Sequence, residues 1–378
     1  MTASAALQIL PVENRTHRRA FLALPARLYR DDPHWIAPLR VEEGQRVFGN
    51  NPLFEHAEAR AWLAWRGGRP VGRITAQIDR LQQEVYREPV GLFGMLEAED
   101  DPQVFAALFA AAEAWLRSAG CTRVLGPFNL SINEEIGLLV EGFDAPPFVM
   151  MGHARRYYPA RVLEQGYGRV QELLTYTIAP DFPAPTVMTR LAERVAGEVH
   201  VRALRRKELD AELEILRDLF NDAWANNWGF VPFTAAEFRA LGRMLAVLLP
   251  DDLVQIAELH GRPVAFMVAL PNVNEAARDL GGRLLPWGWA KLLWRLKVRG
   301  VRSARVPLMG VRREYQQSRL GPTLAFLVID AVRKSLARRG FEIAEVGWIL
   351  EGNSGMRNII ETTGGVVYKR YHVYQKML

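Results

Sequence analysis

Cysteine is almost absent. Cys121 is the only one in 378 residues, which excludes an internal disulfide and leaves no thiolate set for a metal, so no metal is expected. No apolar run reaches the ~18 residues that a membrane-spanning helix needs. The start, MTASAALQILPVENRTHRR, lacks the basic opening and long apolar core of a secretion signal. A reducing cytoplasm is therefore the expected compartment. Neither GxxxxGK[ST] nor GxGxxG occurs, so the two common phosphate-binding motifs are excluded. No nucleic-acid-binding motif is present either.

What is there is a folded, mixed composition with 49% hydrophobic and 24% charged residues. The length suits two domains. A net charge of +6 and a pI near 9.5 favour anionic partners.

The most informative stretch is 304–322, ARVPLMGVRREYQQSRLGP. A strand-like run over 306–311 breaks into a basic loop that ends at Gly321-Pro322, and an amphipathic helix is expected over 323–339. Strand, cationic loop and helix start make an anion site, because unpaired backbone N–H groups and the helix dipole both point at the loop. Arg312, Arg313 and Arg319 add positive charge, and Pro322 suits a first helical turn. A second apolar strand is expected over 341–349, followed by Asn353, Ile359, Glu361 and Gly364 in a helical segment. A last strand over 366–375 alternates apolar and polar residues.

The run Gln316-Gln317-Ser318-Arg319-Leu320-Gly321 resembles the pyrophosphate loop of the GNAT superfamily of acyl-CoA-dependent N-acyltransferases, Q/R-x-x-G-x-G/A, with Arg319 in place of the first Gly. The segment from Asn353 to Gly364 is similar to the superfamily's next motif, N-x-x-A-x-x-L-Y-x-x-x-G-F. Capping of the following helix is an equally good reason for Asn353, and the two roles are compatible. The resemblance implies that Met309, Gly310 and Val311 bond the pantetheine of coenzyme A. It also implies that Gln316, Gln317, Ser318, Arg319, Leu320 and Gly321, with Asn353, hold the rest of the donor.

A weak internal echo points to two halves with one plan. Gly68-Arg69-Pro70-Val71 and Gly261-Arg262-Pro263-Val264 each sit in a strand–turn–strand pattern. Strand–helix–strand follows in both halves, over 90–96, 102–119 and 122–126 and again over 304–311, 322–339 and 341–349. The expected fold is α/β with a mixed sheet: two GNAT-like domains in tandem, 1–178 and 199–378, joined by a linker at 179–198 whose start is Pro-rich. Where the second half has its basic loop, the first has Glu97, Glu99, Asp100 and Asp101, which satisfy the helix dipole internally and repel a pyrophosphate. Only the C-terminal half is expected to bind the donor.

The acceptor is less legible. Residues 126–153 form a long loop with apolar surface and a polar cluster, and long structured loops are often functional. Asn129 and Asn133 are candidate substrate contacts there. Glu134 and Glu135 are candidate general bases, since an amine must be neutral to attack a thioester; solvated surface carboxylates are the commoner case. Asn227 and Trp228 are further candidates, in the region that lines the acceptor pocket of GNAT proteins. Thr234 and Glu237 read as a capping box and carry no chemistry. Ile360 stands where many GNAT proteins place an acidic Tyr, so Tyr371 or Tyr368 on the last strand are substitutes, although strand residues are their commoner role. Over 284–305, Leu285, Trp289, Leu292, Leu293 and Leu296 form an apolar stripe beside Lys291, Arg295 and Lys297. Such a stripe either packs on the domain or lies in a membrane interface, as a peripheral contact on the inner face of the cytoplasmic membrane.

Taken whole, the chain resembles a bacterial group of tandem GNAT-like proteins, and within it the bacterial ceramide synthases. The residues that carry this are Asp32-Pro33-His34-Trp35, Asn51-Pro52-Leu53-Phe54, Gly126-Pro127-Phe128-Asn129, Asn227-Trp228-Gly229-Phe230 and Tyr368-Lys369-Arg370-Tyr371. The resemblance implies an acyl-CoA or acyl carrier protein donor, a lipid amine acceptor such as a sphingoid base, and no permanently bound cofactor. An aminoacyl transferase and a non-catalytic acyl-CoA sensor are the rival readings.

Overall fold

The computed structural model describes residues 6–378. They form two compact units. Unit 1 holds the chain up to Leu173 together with Ala277–Trp289 and Lys369–Leu378, and unit 2 holds Leu174–Ala276 and Ala290–Tyr368. The chain thus passes between units more than once, whereas the sequence suggested one linker at 179–198. The Pro-rich run belongs to unit 2, where the Arg333 guanidinium donates to the Phe182 carbonyl at 3.1 Å and lies 5.0 Å from the ring centre.

Unit 1 runs β1 (Gln8–Pro11), helices Arg15–Leu28 and Arg40–Phe48, β2 (Ala57–Arg66), β3 (Arg69–Asp79), β4 (Val90–Ala98), helix Pro102–Ser118 and β5 (Arg123–Gly126). The short strands β6 (Phe128–Asn129), β7 (Glu135–Ile136) and β8 (Leu138–Glu141) follow. Strands β1 to β4 are antiparallel neighbours, and β4 pairs parallel with β5. Helix Pro102–Ser118 buries Val104, Phe105, Leu108, Phe109, Ala112 and Leu116, the single face that three- and four-residue spacing produces.

Unit 2 repeats the order. It begins with the end of β9 (Gly168–Ile178), followed by β10 (Val199–Ala203), helices Leu209–Trp224 and Ala235–Ala246, β11 (Val254–Leu259), β12 (Arg262–Pro271) and β13 (Ser303–Val311). Helix Gly321–Arg338, β14 (Ile343–Leu350), helix Ser354–Thr362 and β15 (Val366–Met377) complete the chain. Strands β10 to β13 are antiparallel and β13 pairs parallel with β14. The C-terminal part of β15 returns to unit 1, where Tyr374 faces Gly126 and Met377 faces Arg123.

The internal echo is structural. Both hairpins turn on two residues of positive φ, Gly67 (58°) and Gly68 (76°) in one and His260 (50°) and Gly261 (81°) in the other. Such turns match the twist of the flanking strands. Each hairpin also carries a register shift just before its turn, at Ala64/Trp65 and at Ala257/Glu258.

The stripe at 284–305 is shorter than its periodicity suggested. The helix spans Gly288–Trp294, and a wider π-type turn, Arg295–Arg299, ends at Gly300 with φ 77°. Pro286 precedes it and β13 claims residues from Ser303 on. Among the described residues no helix is long and apolar enough to cross a membrane.

Candidate functional site

Strands β13 and β14 pair only from Ser303↔Ile343 to Val306↔Val346. Beyond that point β13 stays paired with β12 through Leu308↔Val268, Met309↔Met267, Gly310↔Phe266 and Val311↔Ala265. Two parallel neighbours therefore separate, and a fork opens on the β14 side of β13. Just behind it, Arg305 and Glu345 form an ion pair at 3.2 Å with side chains 1% and 0% exposed. The Tyr368 hydroxyl donates to Glu345, the Arg305 guanidinium donates to the Gly347 carbonyl at 3.3 Å, and it lies over the Trp348 ring. A buried charge demands such partners.

Backbone groups alternate sides along a strand. The Arg312 N–H donates to the Val264 carbonyl of β12 at 2.8 Å, so Met309 and Val311 point their polar groups the other way, into the fork. Their carbonyls are engaged there: the Trp224 indole N–H donates to Met309 at 2.8 Å and the Gln316 amide to Val311 at 2.8 Å. The N–H groups of Met309 and Val311 face the fork. Gly310 keeps this segment close to helix Leu209–Trp224, since a Cβ would stand 2.7 Å from that of Ala223.

The loop after β13 is braced from below. Arg312 pairs with Asp218 and Arg313 with Asp222, both on helix Leu209–Trp224. Gln316 also donates to the Ala223 carbonyl at 2.8 Å. These side chains orient the loop, and of its three arginines only Arg319 forms no ion pair among the described residues. Gln317, Ser318 and Arg319 are exposed. The Ser318 hydroxyl accepts from the Leu320 N–H at 3.2 Å. Helix Gly321–Arg338 begins there with no side-chain cap and no acidic residue in its first turn. Gly321 is required because a Cβ would collide with the Tyr315 carbonyl. Asn353 is exposed and caps helix Ser354–Thr362, accepting from the Met356 N–H at 3.1 Å.

Unit 1 has the same fork in a filled state. Strands β4 and β5 pair only from Val90↔Arg123 to Leu92↔Leu125. Beyond them Gly94 packs against the Phe128 carbonyl so closely that a Cβ would collide with it. Gln77 donates to that carbonyl at 2.8 Å, and the Asn129 side chain accepts from the Met95 N–H at 2.8 Å. The helix that follows is capped by Asp101, which accepts from the Gln103 N–H at 2.8 Å and pairs with Arg66. Glu99 pairs with Arg27 and Arg69, and Asp100 with Arg161. Chain atoms occupy the fork and carboxylates occupy the helix start.

The acceptor candidates divide. Asn129, Glu134 and Glu135 come together in unit 1. The Asn129 amide donates to Glu135 at 2.6 Å, and Glu134 accepts from Arg46 and from Asn51, each at 3.2 Å. Burial pushes the Glu134 carboxyl up, against the pull of Arg46. The Asn133 N–H donates to the Ser131 hydroxyl at 3.2 Å. Tyr371 is fully buried in unit 1 and donates to the Gly152 carbonyl at 3.1 Å. Asn227 and Trp228 lie half-buried in the turn after helix Leu209–Trp224, where the Asn227 N–H donates to the Trp224 carbonyl at 2.8 Å. Thr234 and Glu237 form their capping box.

Sequence reasoning missed the pairing of Arg305 with Glu345 and of His153 with Asp32, and it set Glu97 among the carboxylates of a helix start, whereas the structure turns it toward Tyr158. Glu97 accepts from Tyr158 at 2.6 Å, and burial raises its pKa to about 7. His153 and Asp32 form a 2.9 Å dyad, in which burial pushes the imidazole pKa down; only the run Asp32-Pro33-His34 hinted at it. Ile360 is core, packed with Leu174, Tyr176 and Ile349. Among the described residues no cluster of three or more His, Cys, Asp or Glu side chains suits a metal.

An antiparallel meander, a parallel pair that forks, and a helix starting beyond the fork define the GNAT acyltransferase fold, present here twice. A tandem GNAT protein from the clavulanic acid biosynthesis pathway has the same architecture, with TM-score 0.57 and 14% identity over 98% of each chain. No family model matches the sequence. Full-length relatives do, and the chain belongs to their family of tandem GNAT-fold proteins. Protein YghO of Escherichia coli (strain K12) is 50% identical over 366 residues, 97% of this chain and 94% of the relative. A protein of Caulobacter vibrioides named bacterial ceramide synthase is 48% identical over 378 residues, 99% of this chain and 98% of the relative.

Proposed function

We propose that the protein is an acyl-CoA-dependent N-acyltransferase whose acceptor is a long-chain lipid amine such as a sphingoid base. The observation that carries this reading is the fork of unit 2, where β13 and β14 part with the Met309 and Val311 N–H groups facing it and an uncapped helix start lies beside the exposed Arg319. Met309, Gly310 and Val311 hold the pantetheine. Gln317, Ser318, Arg319, Leu320 and Gly321 receive the pyrophosphate, with Gln316 fixing the loop and Asn353 next along the donor. The donor is coenzyme A; acyl carrier protein carries the same thioester-bearing arm. The filled fork of unit 1 supports a single donor site, and the name of the Caulobacter relative supports a lipid amine.

In the reaction the neutral amine attacks the thioester carbonyl, a backbone N–H stabilises the oxyanion, the C–N bond forms and the C–S bond breaks. Thiolate leaves, and the proton lost by the nitrogen passes to a base. Asn227 and Trp228, which belong to unit 2 as the donor fork does, contribute to the acceptor side. The reaction places the protein in the cytoplasm, where acyl-CoA is made.

Incubation with palmitoyl-CoA and sphinganine, followed by mass spectrometry, should yield the amide and free coenzyme A. Thermal stabilisation by acyl-CoA without amide formation from any lipid amine would point to the sensor. No response to acyl-CoA would overturn the reading.

A further inference from the structure

Ten tryptophans occur in the chain, and the exposed ones are Trp287, Trp289 and Trp294. All lie in one segment, at 76%, 48% and 53% exposure, and Val298 reaches 71%. Leu292 alone faces inward from the helix Gly288–Trp294. The segment is nevertheless held in place. The Trp289 N–H donates to the Leu284 carbonyl at 2.8 Å, Arg295 donates to the Ala276 carbonyl at 2.7 Å, and Lys297 to the Val247 carbonyl at 2.8 Å. Val247 is itself 66% exposed, which extends the apolar surface. An ordered helix that turns its largest apolar side chains to water needs a partner for them.

Charge selects the partner. Residues 283–299 contain five cations, Arg283, Lys291, Arg295, Lys297 and Arg299, and no carboxylate. Tryptophan rings match the headgroup region of a bilayer, and interleaved lysine and arginine match anionic lipid. Seven residues of helix are too short to span a bilayer, so the segment lies along the surface.

We propose that residues 284–299 dock the protein onto an anionic lipid surface. The inference stands apart from the acyl-transfer reading, although a lipid acceptor would be reached from such a surface.

The test is co-sedimentation of the full-length protein with vesicles, without substrates. Phosphatidylcholine vesicles containing phosphatidylglycerol should bind it at least about tenfold better than phosphatidylcholine alone at low salt, and high salt should weaken this. The double variant Trp287→Ser/Trp294→Ser should lose about tenfold or more of the binding while melting at the wild-type temperature. Unchanged binding by that variant, or no preference for anionic lipid, would overturn the proposal. So would sedimentation showing a dimer that the same variant dissolves, because the patch would then pair two copies. Because no turnover is read, failure here leaves acyl transfer standing, and the reverse.

Discussion

Replacing Glu345 with Gln leaves the Arg305 guanidinium without its counter-charge where both side chains are at most 1% exposed. Removing one member of a buried ion pair costs about 3–5 kcal/mol, because the remaining charge stays desolvated. The Gly347 carbonyl and the Trp348 ring still touch Arg305, which places the expected loss near the lower end, about 3 kcal/mol. For a domain of this size each kcal/mol moves the melting temperature by roughly 2–4 °C, so calorimetry should show a fall of about 6–12 °C. The double variant Arg305→Met/Glu345→Leu removes both charges and keeps apolar volume, and it should recover most of the loss. Because the pair sits where β13 and β14 part, the single variant should also weaken acyl-CoA binding. A Glu345→Gln protein within about 1 kcal/mol of wild type, or a double variant no better than the single one, would refute the idea that this pair holds the fork.

Arg319→Ala should weaken coenzyme A binding about three- to tenfold by titration calorimetry, the scale of one exposed charge on phosphate, and leave the melting temperature unchanged. Asp101→Ala should destabilise unit 1 by about 1 kcal/mol in urea unfolding, through loss of the helix cap and the Arg66 pair. Glu97 has a folded-state pKa raised to about 7, above its value in an unfolded chain. Its protonated form therefore favours the fold at low pH, and that contribution disappears as pH rises through about 7. Glu97→Gln should accordingly flatten the stability–pH curve between about 4.5 and 7, and an unchanged slope would show that another group titrates there.

Local chemistry made part of this protein legible. The capping box at Thr234 and the paired Gly-Arg-Pro-Val turns depend on neighbours within a few residues, and the structure places them as the spacing implies. What depended on distant partners was not legible. Asn129 binds the Met95 N–H across the filled fork, and two of the loop's three arginines are neutralised from a helix about 90 residues earlier. Arg305 and Glu345 lie 40 residues apart in sequence, and only the parallel pairing of β13 with β14 brings them together. The stripe at 284–305 showed helical spacing, but spacing does not reveal whether an apolar face is covered.

One fork per chain, that of unit 2, is left to receive a donor, since chain atoms fill the other. Titration calorimetry with acyl-CoA measures that stoichiometry directly. One molecule should bind per chain, with binding abolished by Gly321→Val, whose side chain would collide with the Tyr315 carbonyl at the helix start. Two molecules bound per chain, or undiminished binding to the variant, would contradict it.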